Sequence, residues 1–225
     1  MFDAFANDND VLNVQGDALT LTNGTTRVTL AGTLELTRDH LEAAKDMTRT
    51  NRFFEDDRLP EGEGATLADY RRSGFDRGHM SPAGNRWNAQ AMAESFSLAN
   101  IVPQNRDNNQ RLWAHIETAV RKLAMKYGEA YVVTGPLFTG AQLQTIGATR
   151  VLVPTQIFKV VYVPSQQLAF AIVADNAAVD RYDVRSVRDL AAQSGIAFPG
   201  IPADVAARAK VSFNGRGFAV SKWGW

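Results

Sequence analysis

The sequence predicts an α+β fold, a central and mainly antiparallel β-sheet flanked by helices, and three stretches predict it. Ala18-Leu19-Thr20-Leu21-Thr22 and Thr26-Arg27-Val28-Thr29-Leu30 alternate apolar and polar side chains about Asn23-Gly24, the strongest short-range hairpin signal. Gln156 to Val163 and Gln167 to Ala174 are dense in β-branched residues and flank Pro164-Ser165-Gln166, the pattern of paired central strands. Leu112, Ile116, Val120 and Leu123 form one apolar stripe of a long helix that begins at Asn108 or Asn109, runs to about Tyr127 and stops at Gly128.

The remaining elements fit around these. Residues 1–17 are polar and without period, which predicts an irregular arm. Thr33-Leu34-Glu35-Leu36 prolongs the sheet, and Thr37 or Asp39 caps a short helix through Lys45. From Thr48 to Gly64 dense charge followed by Pro60, Gly62 and Gly64 predicts an exposed loop. Asn88 caps a helix over Ala89–Phe96, and Ser97 to Val102 is a buried strand or extended link ending at Pro103. Ala130-Tyr131-Val132-Val133-Thr134 is a strand closed by Gly135-Pro136, and Val151-Leu152-Val153-Pro154 is a short strand after a loop from Phe138 to Thr149. Ser186 and Asp189 stand at capping-box spacing before a helix that stops at Gly195, and Pro202 to Lys210 is a further short helix. The aromatic and basic tail, residues 211–225, packs on its own domain or a partner, or stacks on bases. No repeat or linker divides the chain, so residues 1–225 read as one domain.

Composition narrows the function classes. With 225 residues, 45% hydrophobic and 21% charged, the chain is long enough to bury a sizeable core. No apolar run reaches the roughly 18 residues of a membrane helix, so no membrane partner is expected. Met1-Phe2-Asp3-Ala4-Phe5 lacks the basic and apolar parts of a signal peptide, which leaves either a processed secreted or periplasmic form or a protein made without a leader. There is no cysteine, which excludes disulfides and thiolate metal sites and leaves the compartment open. The net charge is zero, yet from Tyr70 to Lys126 nine Lys and Arg stand against four Asp and Glu, so this stretch carries +5 and the rest −5. A local basic field of that kind suits a polyanion.

Inside the basic stretch lies Asp76-Arg77-Gly78-His79, between Tyr70-Arg71-Arg72-Ser73-Gly74-Phe75 and Met80-Ser81-Pro82-Ala83-Gly84-Asn85-Arg86. A second stretch follows: Leu98-Ala99-Asn100-Ile101-Val102-Pro103-Gln104, Asp107-Asn108-Asn109-Gln110-Arg111-Leu112-Trp113, then Glu117 and Arg121. Phosphodiester hydrolysis needs a base for the attacking water and charge relief for the phosphate and the departing 3′ oxygen. A neutral imidazole supplies the first at cellular pH, and a hard cation held by few oxygen ligands supplies the second. Each residue alone has a plainer reading: a helix cap for Asn109, a surface ion pair for Glu117 with Arg121, a satisfied core residue for His79.

The two stretches together, in this order and separation, resemble the DNA/RNA non-specific endonucleases of the ββα-metal (His-Me finger) type. That resemblance implies a ββα-metal motif within the α+β fold and endonucleolytic cleavage of DNA and RNA with 5′-phosphate products. It implies His79 as general base, Asn109 as direct ligand of Mg²⁺ (Mn²⁺ or Ca²⁺ as alternatives), and Glu117 acting on metal-bound water. Glu117 lies roughly 12 Å along the helix from Asn109 at 1.5 Å per residue, with Arg121 at the following i+4 position to orient it. Arg52, within Arg52-Phe53-Phe54-Glu55-Asp56-Asp57, matches the phosphate or leaving-group clamp; Arg77 and Asn100 shape the site, and Asp76 orders the loop. His40 and His115 lie outside both motifs. The partners implied are DNA and RNA, with an inhibitor or immunity protein as a candidate and the oligomeric state, homodimer included, open. A departure from the family is Thr29-Leu30-Ala31-Gly32-Thr33, where a tryptophan is usual. Two further readings stand beside the nuclease: a catalytically silent nucleic-acid-binding module, and a phosphodiesterase for small substrates.

Overall fold

The computed structural model describes residues 10–15, 18–23, 28–208, 212–213 and 216–217, with side chains from 35 to 208. In chain order come β1 (Asp10–Gln15), β2 (Ala18–Asn23), β3 (Val28–Thr37), α1 (Arg38–Ala44), α2 (Leu67–Tyr70), β4 (Asp76–His79), α3 (Ala89–Glu94) and β5 (Ile101–Gln104). They are followed by α4 (Ala114–Tyr127), β6 (Glu129–Leu137), β7 (Thr145–Ile146), β8 (Val151–Leu152), β9 (Gln156–Val163), β10 (Leu168–Asp175), β11 (Asp183–Arg185), α5 (Val187–Ser194) and α6 (Ala203–Ala206). A last pair, Ser212–Phe213 with Arg216–Gly217, falls in the C-terminal tail, whose packing lies outside the described residues.

Seven strands form one sheet in the order β1-β2-β3-β6-β9-β10-β11, antiparallel throughout. Strand β9, between β6 and β10, is buried on both faces, which explains why apolar residues fill most of it. Ile157, Val161 and Val163 join the layer packed under α4, while Phe158 and Val160 join Val187, Leu190 and Val205 of α5 and α6 on the other face. Helix α4 presents Ile116, Ala119, Val120, Leu123 and Ala124 to the sheet, and Gly128 ends it at a φ of 97° that a side chain would oppose. Thr37 caps α1, Asn88 caps α3 and Ser186 caps α5, each side chain accepting a backbone N–H of the first turn as the sequence predicts. Among the described residues no helix is long and apolar enough to cross a membrane.

Five expectations change. The irregular arm contains β1, which pairs along its whole length with β2 and extends the sheet. Strand β6 passes through Gly135-Pro136 to Leu137, because β9 continues beside it as far as Gln156. The link from Ser97 is a 3₁₀ turn at Leu98–Asn100 followed by β5, which contains Pro103; a proline is tolerated there because β5 pairs only with β4. The long helix opens with a π-type turn over Asn108–Trp113 before α4 proper, and such widened turns gather at functional sites. The exposed loop from Thr48 is also less free than expected. Asp56 is buried and accepts from Arg58 and Ser97, while Phe54 donates its N–H to the Phe96 carbonyl and accepts from the Leu98 N–H, so the loop is pinned beside the 3₁₀ turn. Residues 29–33 belong to β3, but their side chains lie outside the described set.

The short pair β4–β5 sits apart from the main sheet and carries the central motif in the register Asp76↔Gln104, Gly78↔Val102 and His79↔Ile101. A Cβ on Gly78 would lie 2.0 Å from Gln104 Oε1 and 2.6 Å from Gln104 Cβ. Gln104 is fully buried and donates to Asn108 Oδ1 at 2.6 Å, so it has no room to yield. Gly78→Ala is therefore expected to lower stability by about 1–3 kcal/mol, the usual cost of overpacking, measured as a lower urea midpoint; an unchanged midpoint would show that the pair can part freely.

Candidate active site

Strand β4 ends at His79, which is 8% exposed, its ring edge-on to Phe96 at 5.0 Å and tilted against Phe53 at 5.5 Å between centroids. Its Nε2 is enclosed and has no hydrogen-bond partner. Burial, then the guanidinium groups of Arg49, Arg86 and Arg77, push its pKa down to about 3, so the imidazole is neutral at cellular pH. A cleft of about 880 Å³ opens beside it, and Asp76, Arg77, His79, Asn109, Glu117 and Arg121 all line that cleft.

Asn109 reaches the cleft because its neighbour is held back. Asn108 is fully buried, accepts from Gln104 and donates to the Asp175 carbonyl at 2.8 Å, which anchors the opening turn to the sheet. Asn109 Nδ2 donates to Asp76 Oδ2 at 3.0 Å, and Gln110 Nε2 donates to the same oxygen at 2.7 Å. A carboxylate accepts only, so Asp76 fixes the Asn109 amide with nitrogen inward and leaves Oδ1 for a ligand. Among the described residues no three His, Asp or Glu side chains converge as a conventional metal cage. The donors present fit a hard ion that keeps most of its waters: one amide oxygen, with Glu117 further along the same wall.

Glu117 is half-buried at the cleft, and burial raises its pKa against the opposing charges of Lys159, Arg121 and Arg49. Arg121 does not hold it as the helical spacing predicts. Its guanidinium donates to Asn85 Oδ1 at 3.1 Å and Thr118 Oγ1 at 2.9 Å, because the loop after His79 crosses α4 at that point. Asn100, unlike Arg121, is not at the cleft: fully buried, it accepts from the Ser81 N–H and donates to the Ser81 and Ser95 carbonyls, bracing the chain two residues beyond His79.

Arg52 is exposed and does not line the cleft, contrary to expectation; Arg49 does. The guanidinium of Arg49 lies over the Phe96 ring at 5.1 Å and that of Arg77 over Phe53 at 4.1 Å, so the two rings that flank His79 also aim two cations at its surroundings. The charged loop offers nothing by which spacing alone could prefer position 49 to 52. Phe53, Phe96 and Lys159 were likewise given no role, since an aromatic or a lysine in a β-rich run reads as core or surface.

An antiparallel strand pair leading into a helix, with an imidazole at the strand end and an amide oxygen at the helix start facing one cleft, defines the ββα-metal class. The chain belongs to the DNA/RNA non-specific endonuclease family, whose model matches residues 4–200. It is 38% identical over 185 residues to mitochondrial nuclease EXOG of Danio rerio, covering 71% of this chain and 54% of that protein. It is 44% identical over 118 residues to mitochondrial endonuclease G of Homo sapiens, covering 48% of this chain and 40% of that one. The chain thus matches about half the length of these relatives. Its fold superimposes on a chain of the EndoG/EndoGI complex, whose crystal structure addresses EndoG inhibition, with a TM-score of 0.78, 26% identity, and coverage of 83% of this chain and 84% of that one.

Proposed function

We propose that the chain is a metal-dependent endonuclease that hydrolyses phosphodiester bonds of DNA and RNA with little sequence preference and leaves 5′-phosphate ends. The observation that carries this reading is the meeting of His79 and Asn109 in one cleft that Arg49, Arg71, Arg77 and Arg121 also line. His79, neutral and caged, accepts a proton from the attacking water. Asn109 Oδ1 would hold Mg²⁺, with Mn²⁺ or Ca²⁺ as alternatives, and Glu117, which lines the same cleft, would act on the ion's water. Such an ion would supply charge relief at the phosphate and the departing oxygen. Arg49, in place of Arg52, and Arg77 contact the phosphate, and contacts of that kind carry no sequence information.

Nucleic acid is the partner this cleft suits, and a protein inhibitor is a second candidate, since the EndoG likeness comes from an inhibitor complex. The curated relatives named above are mitochondrial nucleases, and the sequence itself leaves a processed secreted or periplasmic form or a cytoplasmic protein open. The test is incubation with supercoiled plasmid and with RNA in Mg²⁺, with and without chelator, beside a small bis-aryl phosphate. Nicking and linearisation of plasmid and degradation of RNA, abolished by chelator, are expected. Plasmid retention without cutting would mean a binding module, and hydrolysis of the aryl ester alone would mean a small-substrate enzyme.

A further inference from the structure

We propose that one end of the cleft, walled by Leu67, Tyr70, Phe75 and the guanidinium of Arg77, is a pocket for a nucleobase, so that a strand is gripped through a base as well as through its phosphates. The inference rests on the nucleic-acid reading above. The cleft measures about 880 Å³, within the ~300–1,000 Å³ that encloses organic ligands of drug size, and so has room for more than a phosphate and an ion. Leu67 and Tyr70 stand three residues apart on α2 and share a side of it. The Leu67 N–H donates to Glu55 Oε1 at 2.9 Å, which ties α2 to the loop carrying Phe53, and Arg77 lies over the Phe53 ring. Phe75 precedes Arg77 by two residues and lines the same cleft.

An apolar wall in a cleft for a polyanion has no phosphate to serve. Leu67 is 38% exposed, one of three large apolar side chains left so among the described residues. Tyr70 is 6% exposed, and its hydroxyl has no hydrogen-bond partner, a gap that the polar edge of a base would complete. Arg77 supplies a stacking platform. Its side chain is exposed and makes no hydrogen bond or ion pair among the described residues. With Phe53 on one side at 4.1 Å, the other side of the guanidinium meets the cleft, and such a plane stacks on a base much as an aromatic ring does. Its N–H edge remains for the phosphate. The wall is also fixed in advance. Asp69 is buried and accepts from the backbone and hydroxyl of both Thr66 and Thr149, and a Cβ on Gly147 would lie 2.1 Å from Asp69 Oδ1, so α2 is fastened closely to the turn between β7 and β8. A pocket already ordered loses little freedom when it is filled.

The test compares labelled oligothymidylate with the same sugar-phosphate backbone carrying no bases, each titrated in chelator so that binding is read without cutting. The natural chain is expected to bind the oligomer with bases about 5- to 150-fold more tightly, the range that stacking of one base supplies. Arg77→Lys keeps the charge and removes the plane, and Leu67→Ser removes part of the apolar wall. Both alter exposed side chains, and both are expected to lose most of that ratio. Equal affinity of the natural chain for the two oligomers, the result of a grip on phosphates alone, overturns the proposal, as does the full ratio kept by either variant. Cleavage of oligothymidylate in Mg²⁺ is scored apart. Absence of cutting fails the nuclease reading and leaves the pocket to the binding ratio, whereas cutting with equal affinities fails the pocket alone.

Discussion

His79→Ala should cut plasmid ~10²–10⁴-fold more slowly than the natural chain, the usual contribution of a positioned general base, while melting as a folded protein. The ring fills a slot between Phe53 and Phe96, but its enclosed Nε2 has no partner, so removing it also removes an uncompensated polar atom. The pH dependence carries its own sign. With the pKa of His79 pushed down to about 3, the imidazole stays unprotonated well below its ordinary value, so kcat/KM should show no loss through pH 6.5 attributable to this group.

Stability should behave differently. An unfolded His takes a proton below about 6.5, whereas the folded one resists until near 3. The contribution of the neutral buried ring is thus complete above pH 6.5 and erodes as pH falls toward 3. Urea unfolding at pH 7.5 and 4.5 should show the natural chain losing more stability on acidification than His79→Ala. Equal cutting by the two proteins would remove the assigned base.

Asn109→Ala should lose about 10²-fold or more in rate at fixed Mg²⁺, at least what loss of a supporting contact to a metal site costs, and bind the ion more weakly by calorimetry. Two effects combine. The variant lacks the amide oxygen offered to the ion, and it leaves Asp76 with Gln110 alone as donor from this turn. Asn109→Asp separates them. It restores an oxygen but sets a carboxylate where an N–H now meets Asp76 Oδ2 at 3.0 Å, and two carboxylates at that range do not both ionise readily. It should therefore rescue only in part, and best at high metal concentration. If Asn109→Ala bound Mg²⁺ and cut plasmid as the natural chain does, the ion would have to be held elsewhere.

The local elements were largely legible because their signals are local. Thr37, Asn88 and Ser186 announce helix starts by supplying an oxygen to the first turn, and Gly128 and Gly195 announce stops by adopting positive φ. The paired strands β9 and β10 show in their β-branched density. Strand β1 is not legible because Asp10–Gln15 does not alternate apolar and polar residues and its pairing with β2 is not visible in the sequence, and β6 reads short because Gly-Pro looks like a turn when the neighbouring strand is not in view. In the site, His79 and Asn109 were legible as motif positions. Arg49 was not, since its selection over Arg52 depends on the Phe96 ring, more than forty residues away along the chain.

By itself the sequence determined the fold class, the order of most elements, and which imidazole and which amide to look for in one cleft, because these follow from residue types at short spacing. Tertiary structure alone decided which arginine enters the cleft, which way the Asn109 amide is turned, and that Lys159 of β9 lies buried against Trp113. Those depend on contacts between distant segments, Asp76 with Asn109, Arg49 with Phe96 and Lys159 with α4, and no local pattern of residues encodes where a folded sheet and helix will meet.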